Sequence, residues 1–183
     1  MKRLLVDVDG VLADFTGALC KELHKEGHGT WTDEHLTTWE LKTCFPPKSH
    51  SAIERIMTRP GFFASIPRYA GAQQFVRSLR RRGDVSAVTV VTGKAQQERY
   101  DWLLSLGFQD HEFVLCSDHL HKRAVPGDAI IDDRIETLEK CSHGVRIVFD
   151  RPWNQKEVPG VVRAKDYDHV LKHLDKANIK VCK

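Results

Sequence analysis

The chain has 183 residues, of which 41% are hydrophobic and 29% charged, with a formal net charge of +3. That length supports one compact domain with a substantial core and room for a small inserted subdomain. No apolar run approaches the ~20 residues of a membrane span, and five cysteines without a Cys-x-x-Cys pair argue against a disulfide framework or a zinc site. The one dense basic run, Arg77 to Arg82, has no interleaved aromatics, so no nucleic-acid polymer is expected as a partner. Free thiols suit a reducing compartment, and the N-terminus leads straight into the first strand, so the expected location is cytoplasmic, without signal peptide or membrane association. The expected oligomeric state is a monomer or homodimer.

Leu4-Leu5-Val6 is apolar without helical spacing and predicts a buried central strand over Arg3 to Val8. Two acids one residue apart, Asp7 and Asp9, and then Gly10 close it. A helix is predicted from Ala13 to Glu26, with Phe15, Leu19 and Leu23 four residues apart and Gly27-His28-Gly29 as its stop. The texture changes from Thr30 to Pro67. Two of the four tryptophans (Trp31, Trp39), three phenylalanines (Phe45, Phe62, Phe63), a Pro46-Pro47 break and a helical stretch near Ser51 to Met57 predict a small, mostly helical insertion.

After Gly71 the rhythm is that of alternating helices and strands. Helices are predicted over Ala72 to Arg82, Ala95 to Leu106 (closed by Gly107) and Asp168 to Ala177. Strands are predicted over Ala87 to Val91, Phe113 to Cys116, Ala129 to Ile131 and Arg146 to Phe149, with a small edge strand at Val161-Val162. The pattern implies an α/β fold with a Rossmann-like, doubly wound parallel sheet. The core spans residues 1–29 and 68–183, and the insertion spans 30–67 after the first strand-helix unit.

Chemistry-bearing residues fall at strand ends, where open α/β sheets collect their ligands. Asp7 and Asp9 would repel each other without a cation, and an all-oxygen acidic site suits Mg²⁺. Metal-assisted phosphoryl chemistry follows, with Asp7 as nucleophile and Asp9 as general acid/base. A calcium loop would need more oxygen ligands where Val11, Leu12 and Ala13 stand. Thr92 ends a strand and precedes Gly93, a turn whose hydroxyl and amides suit phosphate oxygens; an ordinary strand-to-helix turn is the alternative. Lys122 could neutralise a transferring phosphoryl group, with Arg123 competing for that role. Asp132-Asp133 closes Ala129-Ile130-Ile131 and either holds the cation or caps the helix from Ile135 to Lys140. His119 and His121 read as solvated.

The order Asp-x-Asp-Gly, strand-Thr, Lys, Asp-Asp resembles the four motifs of the haloacid dehalogenase-like (HAD) phosphohydrolases, and within them the 5'(3')-deoxyribonucleotidase family. The stretch Asp7 to Phe15 resembles the family's first motif. Pro60-Gly-Phe-Phe63 with Pro67 and Gly71-Ala72 resembles the return from its cap. Lys122, Val125, Asp128 and Ile131-Asp-Asp-Arg134 resemble its third and fourth motifs.

The resemblance implies an aspartyl phosphate on Asp7 and proton transfer by Asp9. It implies Mg²⁺ on Asp7, the Asp9 backbone carbonyl and Asp133, with Asp132 behind them or acting through water. Thr92 and Lys122 would hold phosphate oxygens, and Arg134 would steady the acids. Phe15 would stack on a base, with Phe62 or Phe63 and Trp39 closing the pocket. The expected substrate is a small phosphate ester, a nucleoside monophosphate. One departure stands out: the family often carries Thr-Ser and a nearby lysine in its second motif, where this chain has Thr92, Gly93 and Lys94. A sugar phosphate as substrate, and transfer to an alcohol instead of water, are the alternatives.

Overall fold

A computed structural model describes residues 2–181. Six parallel strands form one sheet: β1 (Arg3–Val6), β2 (Asp84–Val90), β3 (Phe113–Cys116), β4 (Ala129–Asp132), β5 (Val145–Phe149) and β6 (Val161–Ala164), in the order β3-β2-β1-β4-β5-β6. Parallel neighbours need crossover connections: α1 (Phe15–Lys25) and α5 (Ala72–Arg80) lie between β1 and β2, α6 (Ala95–Leu106) between β2 and β3, α7 (His119–Ala124) between β3 and β4 and α8 (Ile135–Lys140) between β4 and β5, while a loop with one 3-10 turn leads from β5 to β6 and α9 (Tyr167–Lys176) follows β6. Between α1 and α5 the chain forms α2 (Leu41–Cys44), α3 (His50–Thr58) and α4 (Phe62–Ser65) with short 3-10 turns and no strand, so the insertion is helical as expected.

The centre of the sheet is dry. Leu4, Leu5 and Val6 are fully buried, as are Ile131 and Ala129 beside them. Each such Leu, Val or Ile side chain contributes about 1.5–3 kcal/mol relative to exposure, which makes β1 an anchor for whatever stands at its end. The strand order turns outward in both directions from β1, and β1 pairs with β4 through Leu4–Ala129, Leu5–Ile130 and Val6–Ile131. The carboxyl ends of β1 and β4 thus meet where such sheets bind ligands.

The first strand stops at Val6 rather than Val8. Asp7 N–H still donates to Ile131 O (2.8 Å), but Leu12 and Ala13 N–H then both turn back to Val8 O (2.8 Å each). This tight loop needs Gly10, whose φ is +76°; a Cβ there would lie 2.0 Å from Asp133 Oδ2. The chain returns from the insertion alongside the segment that leads into α1, with Asp14 N–H on Pro67 O (2.8 Å) and Tyr69 N–H on Leu12 O (2.9 Å).

Helix α6 has the predicted bounds because Gly107 closes it at φ +98°. Helix α7 carries no sequence expectation. Six residues are too few to show a period; its start is marked only by Asp118, whose side chain accepts from His121 N–H (2.8 Å). The basic run is structural in part: Arg80 pairs with Glu112 and Arg82 with Asp175. Cys20, Cys44, Cys116 and Cys141 are free thiols, and Cys182 lies outside the described residues. Among the described residues no helix is long and apolar enough to cross a membrane.

Candidate active site

A cavity of about 390 Å³ lies between the strand ends and the helical insertion. Asp7, Asp9, Gly10, Lys122 and Asp133 form its floor, and Leu36, Trp39, Leu41, Ile53 and Met57 of the insertion face them.

One buried cluster gathers Asp7, Asp132 and Asp133, with one carboxylate oxygen from each within 4.8 Å of the others. Lys122 reaches it from α7, its Nζ 2.7 Å from Asp7 Oδ1 and 2.8 Å from Asp132 Oδ2, with its side chain 3% exposed. Asp7 Oδ1 also accepts from Val8 N–H (2.7 Å). Asp132 Oδ1 accepts from Arg134 N–H (2.8 Å), and Asp133 Oδ2 from Trp153 Nε1 (2.9 Å). Asn154 Nδ2 ties Asp133 O (2.7 Å) to Phe149 O (2.8 Å), which locks the loop behind the acids.

Three carboxylates against one ammonium leave an excess of negative charge in a dry place. Burial pushes the Asp7 carboxyl well above the usual range; Lys122 opposes this, and Asp132 and Asp133 add to it. Asp133 is pushed up to about 7, by burial first and then by the charge of Asp132. Burial alone would lower the Lys122 ammonium, but the Asp132 and Asp7 carboxylates outweigh it and hold it above its usual value. The donor set is all oxygen and short of positive charge, so it fits a divalent cation.

This has a measurable consequence. A carboxyl raised in the fold binds more protons folded than unfolded between its two values, so stability falls as pH rises through that window. For Asp133 the window runs from the ordinary aspartate value of 3.8 to about 7. Asp128 and Asp150, held low, act below it with the opposite sign; His119, lowered to about 4, opposes it between about 4 and 6.5, and the raised Asp7 carboxyl adds to Asp133. The metal-free protein is therefore expected to melt lower at about pH 7.5 than at about pH 5. Millimolar Mg²⁺ should restore more of the Tm at the higher pH. Thermal melts with EDTA and with Mg²⁺ check this, and a Tm indifferent to Mg²⁺ at the higher pH would refute it.

Asp9 stands apart. Its carboxylate is not in the acid cluster but accepts from Arg99 Nη2, at 2.7 Å to Oδ1 and 3.0 Å to Oδ2. Thr92, Gly93 and Lys94 lie in the exposed turn after β2 and are not on the cavity wall, where Thr89 and Val90 represent that strand. Phe15 and Phe63 line the wall with their rings 6.2 Å apart and 27° from parallel. Phe62 is a correction: at 1% exposure it packs edge-on behind both rings, in the core.

Arg134 lines the cavity, but its expected part in steadying the acids is a second correction. Only its backbone holds an acid of the cluster, whereas its guanidinium lies 3.8 Å from the centroid of Trp39, with Glu136 as its ion partner at 3.6 Å. His119 is a third. It lines the cavity edge-on to Trp39 (5.0 Å), and burial, with Arg134 and Lys122 nearby, lowers its imidazole to about 4. The sequence reading also misses Arg99 and Trp153. Neither has a local motif, because each reaches its aspartate across 90 and 20 residues of chain.

A parallel sheet in this order, with aspartates closing its two central strands beneath a helical insertion, defines the HAD-like hydrolase fold. Solved structures of low identity share it. A HAD family hydrolase from Deinococcus radiodurans R1, with bound phosphate and sodium, aligns with a TM-score of 0.59 at 12% identity over 98% of this chain and 97% of that one. A Bacillus subtilis protein described as "putative HAD-hydrolase YfnB", bound to magnesium, aligns with a TM-score of 0.61 at 15% identity over 95% and 98%.

Within that class the chain belongs to the family described as 5' nucleotidase, deoxy (pyrimidine), cytosolic type C, whose model matches residues 1–179. It is a phosphoric monoester hydrolase of the nucleotidase type. A Staphylococcus epidermidis protein named "Putative 5'(3')-deoxyribonucleotidase" is 29% identical over 160 residues, covering 85% of this chain and 87% of that protein. The human "5'(3')-deoxyribonucleotidase, cytosolic type" is 27% identical over 143 residues, covering 72% and 70%.

Proposed function

We propose that this chain is a Mg²⁺-dependent phosphomonoesterase that hydrolyses nucleoside monophosphates through an aspartyl-phosphate intermediate on Asp7. The observation that carries the reading is the Asp7 carboxylate itself. It is buried at the end of the central strand, on the cavity floor, with Oδ1 tied to Lys122 and Val8 N–H, so that Oδ2 is the oxygen available for attack.

In the proposed reaction Asp7 attacks phosphorus, and the bond to the nucleoside oxygen breaks. Asp9 gives that oxygen a proton, then takes one from the water that splits the acyl phosphate, which restores the Asp7 carboxylate and frees phosphate. Lys122 balances the negative charge of Asp7 and Asp132 throughout; Thr92 and the amides of Gly93 and Lys94, which stand off the cavity wall, would receive phosphate oxygens only with their turn drawn in toward the floor. Asp7, the Asp9 backbone carbonyl and Asp133 would hold Mg²⁺, with Asp132 behind them; the ion supplies neutralisation of the phosphate oxygens.

The wall supports a flat substrate ring. Phe15, Phe63 and Trp39 all face the cavity, and a stacked aromatic adds to simple burial. Residues 30–67 act as a cap over the floor, because their apolar side chains complete the cavity and exclude water from the attack on phosphorus. The cytosolic-type human relative and the free thiols support a cytoplasmic location.

An initial-rate panel of deoxy- and ribonucleoside 5' and 3' monophosphates against sugar phosphates, with Mg²⁺, tests the substrate. Nucleotides are expected to be turned over at least ~10-fold more efficiently, the discrimination that about 1.4 kcal/mol of ring packing supplies. Preference for the sugar phosphates removes the nucleotide reading and leaves the phosphatase.

A further inference from the structure

Arg99 is fully buried and is not on the cavity wall. Its guanidinium lies over two rings, 5.1 Å from the centroid of Phe63 and 5.3 Å from that of Trp102. Only Nη2 has a protein partner, Asp9; Nε and Nη1 have none among the described residues. As packing alone this is poor design. Burying a guanidinium with two unpaired nitrogens is costly, and an apolar side chain of similar volume would fill the slot at lower cost.

The geometry at Asp9 explains what the cost maintains. One nitrogen, Nη2, donates to both carboxylate oxygens, at 2.7 and 3.0 Å. The shared donor fixes the direction of the carboxyl and leaves each oxygen a lone pair on the open side. The Asp9 side chain, at 28% exposure, keeps that side toward the cavity. The slot is itself fixed. Glu98, next to Arg99 on α6, accepts from the N–H groups of Gly61 (2.6 Å), Phe63 (3.0 Å) and Ala64 (3.3 Å), and Trp102 Nε1 donates to Ile66 O (2.8 Å).

We propose that Arg99 is a positioning residue that aims the Asp9 carboxyl at the oxygen of the leaving group. The proposal rests on the reading of Asp9 as the general acid. It makes the value of Arg99 depend on how much the leaving group needs a proton. A nucleoside alkoxide must be protonated as it departs, whereas p-nitrophenolate leaves without one.

The test compares kcat/KM, which covers the steps through departure of the leaving group, for a nucleoside monophosphate and for p-nitrophenyl phosphate. Arg99→Met is expected to lose ~100-fold on the nucleotide and less than ~5-fold on the aryl ester, in line with the usual contribution of a placed general acid. Arg99→Lys, which keeps the charge without the flat fork, should recover part of the nucleotide rate alone. Equal losses on both substrates, or none, overturn the proposal. If Arg99→Met does not fold, the same comparison on Arg99→Lys decides: selective loss supports it and uniform loss refutes it. Asp9→Asn separates the two levels. Selective loss there with uniform loss in the Arg99 variants sinks only the positioning role; full nucleotide turnover by Asp9→Asn sinks the reading of Asp9 itself.

Discussion

Asp7→Asn is expected to lower the hydrolysis of an aryl phosphate by at least ~10³-fold, the scale seen when a covalent nucleophile is removed, with the fold intact. The amide has the shape of the carboxylate but cannot form the acyl phosphate. It also carries no charge, and burial is the main reason the native carboxyl sits well above its usual range. Near neutral pH the metal-free variant should therefore be at least as stable as the parent. Lys122 keeps a partner, because Asp132 Oδ2 remains 2.8 Å from its Nζ. Initial rates with p-nitrophenyl phosphate and a thermal melt check both halves. Retained hydrolysis would eliminate Asp7 as the nucleophile.

Lys122→Met should be costly in a different way. The variant leaves Asp7 and Asp132 buried without their ammonium, and breaking a buried pair from one side costs roughly 3–5 kcal/mol. The sign with pH is clear. The ammonium is held above its ordinary value, so its contribution is complete at neutral pH and disappears only in strong alkali. Urea unfolding at neutral pH should show the loss, and millimolar Mg²⁺ should return part of it by resupplying positive charge. Activity should fall along with stability and recover less. An unchanged unfolding midpoint without metal would mean that Lys122 is not the counter-charge of the cluster.

Particular residues show where sequence reasoning reached. The runs Leu4-Leu5-Val6 and Ile130-Ile131 read as buried strands, so the sequence puts the acids that follow each at strand ends. The end of helix α6 is legible because Gly107 takes the left-handed backbone that closes it. Helix α7 is not, since one turn and a half has no period to read. The choice between Phe62 and Phe63 was open for a related reason. Neighbours on a helical turn point about 100° apart, so one faces the core and one the cavity, and sequence does not say which.

The amino-acid sequence by itself determined the parallel α/β core, the helical insertion and the acidic strand ends. Those follow from local pattern, from apolar runs and from glycine at special φ, which act within a few residues. Only the tertiary structure decided that Lys122 bridges Asp7 and Asp132, that Asp9 turns away from the other acids to Arg99, that Trp153 steadies Asp133, and that Trp39 lies on Arg134. These pairings are made across long loops by groups whose charge or ring could find many partners in water. Burial selects one of them, because in a dry site an unpaired charge costs more than the chain entropy of bringing its partner there.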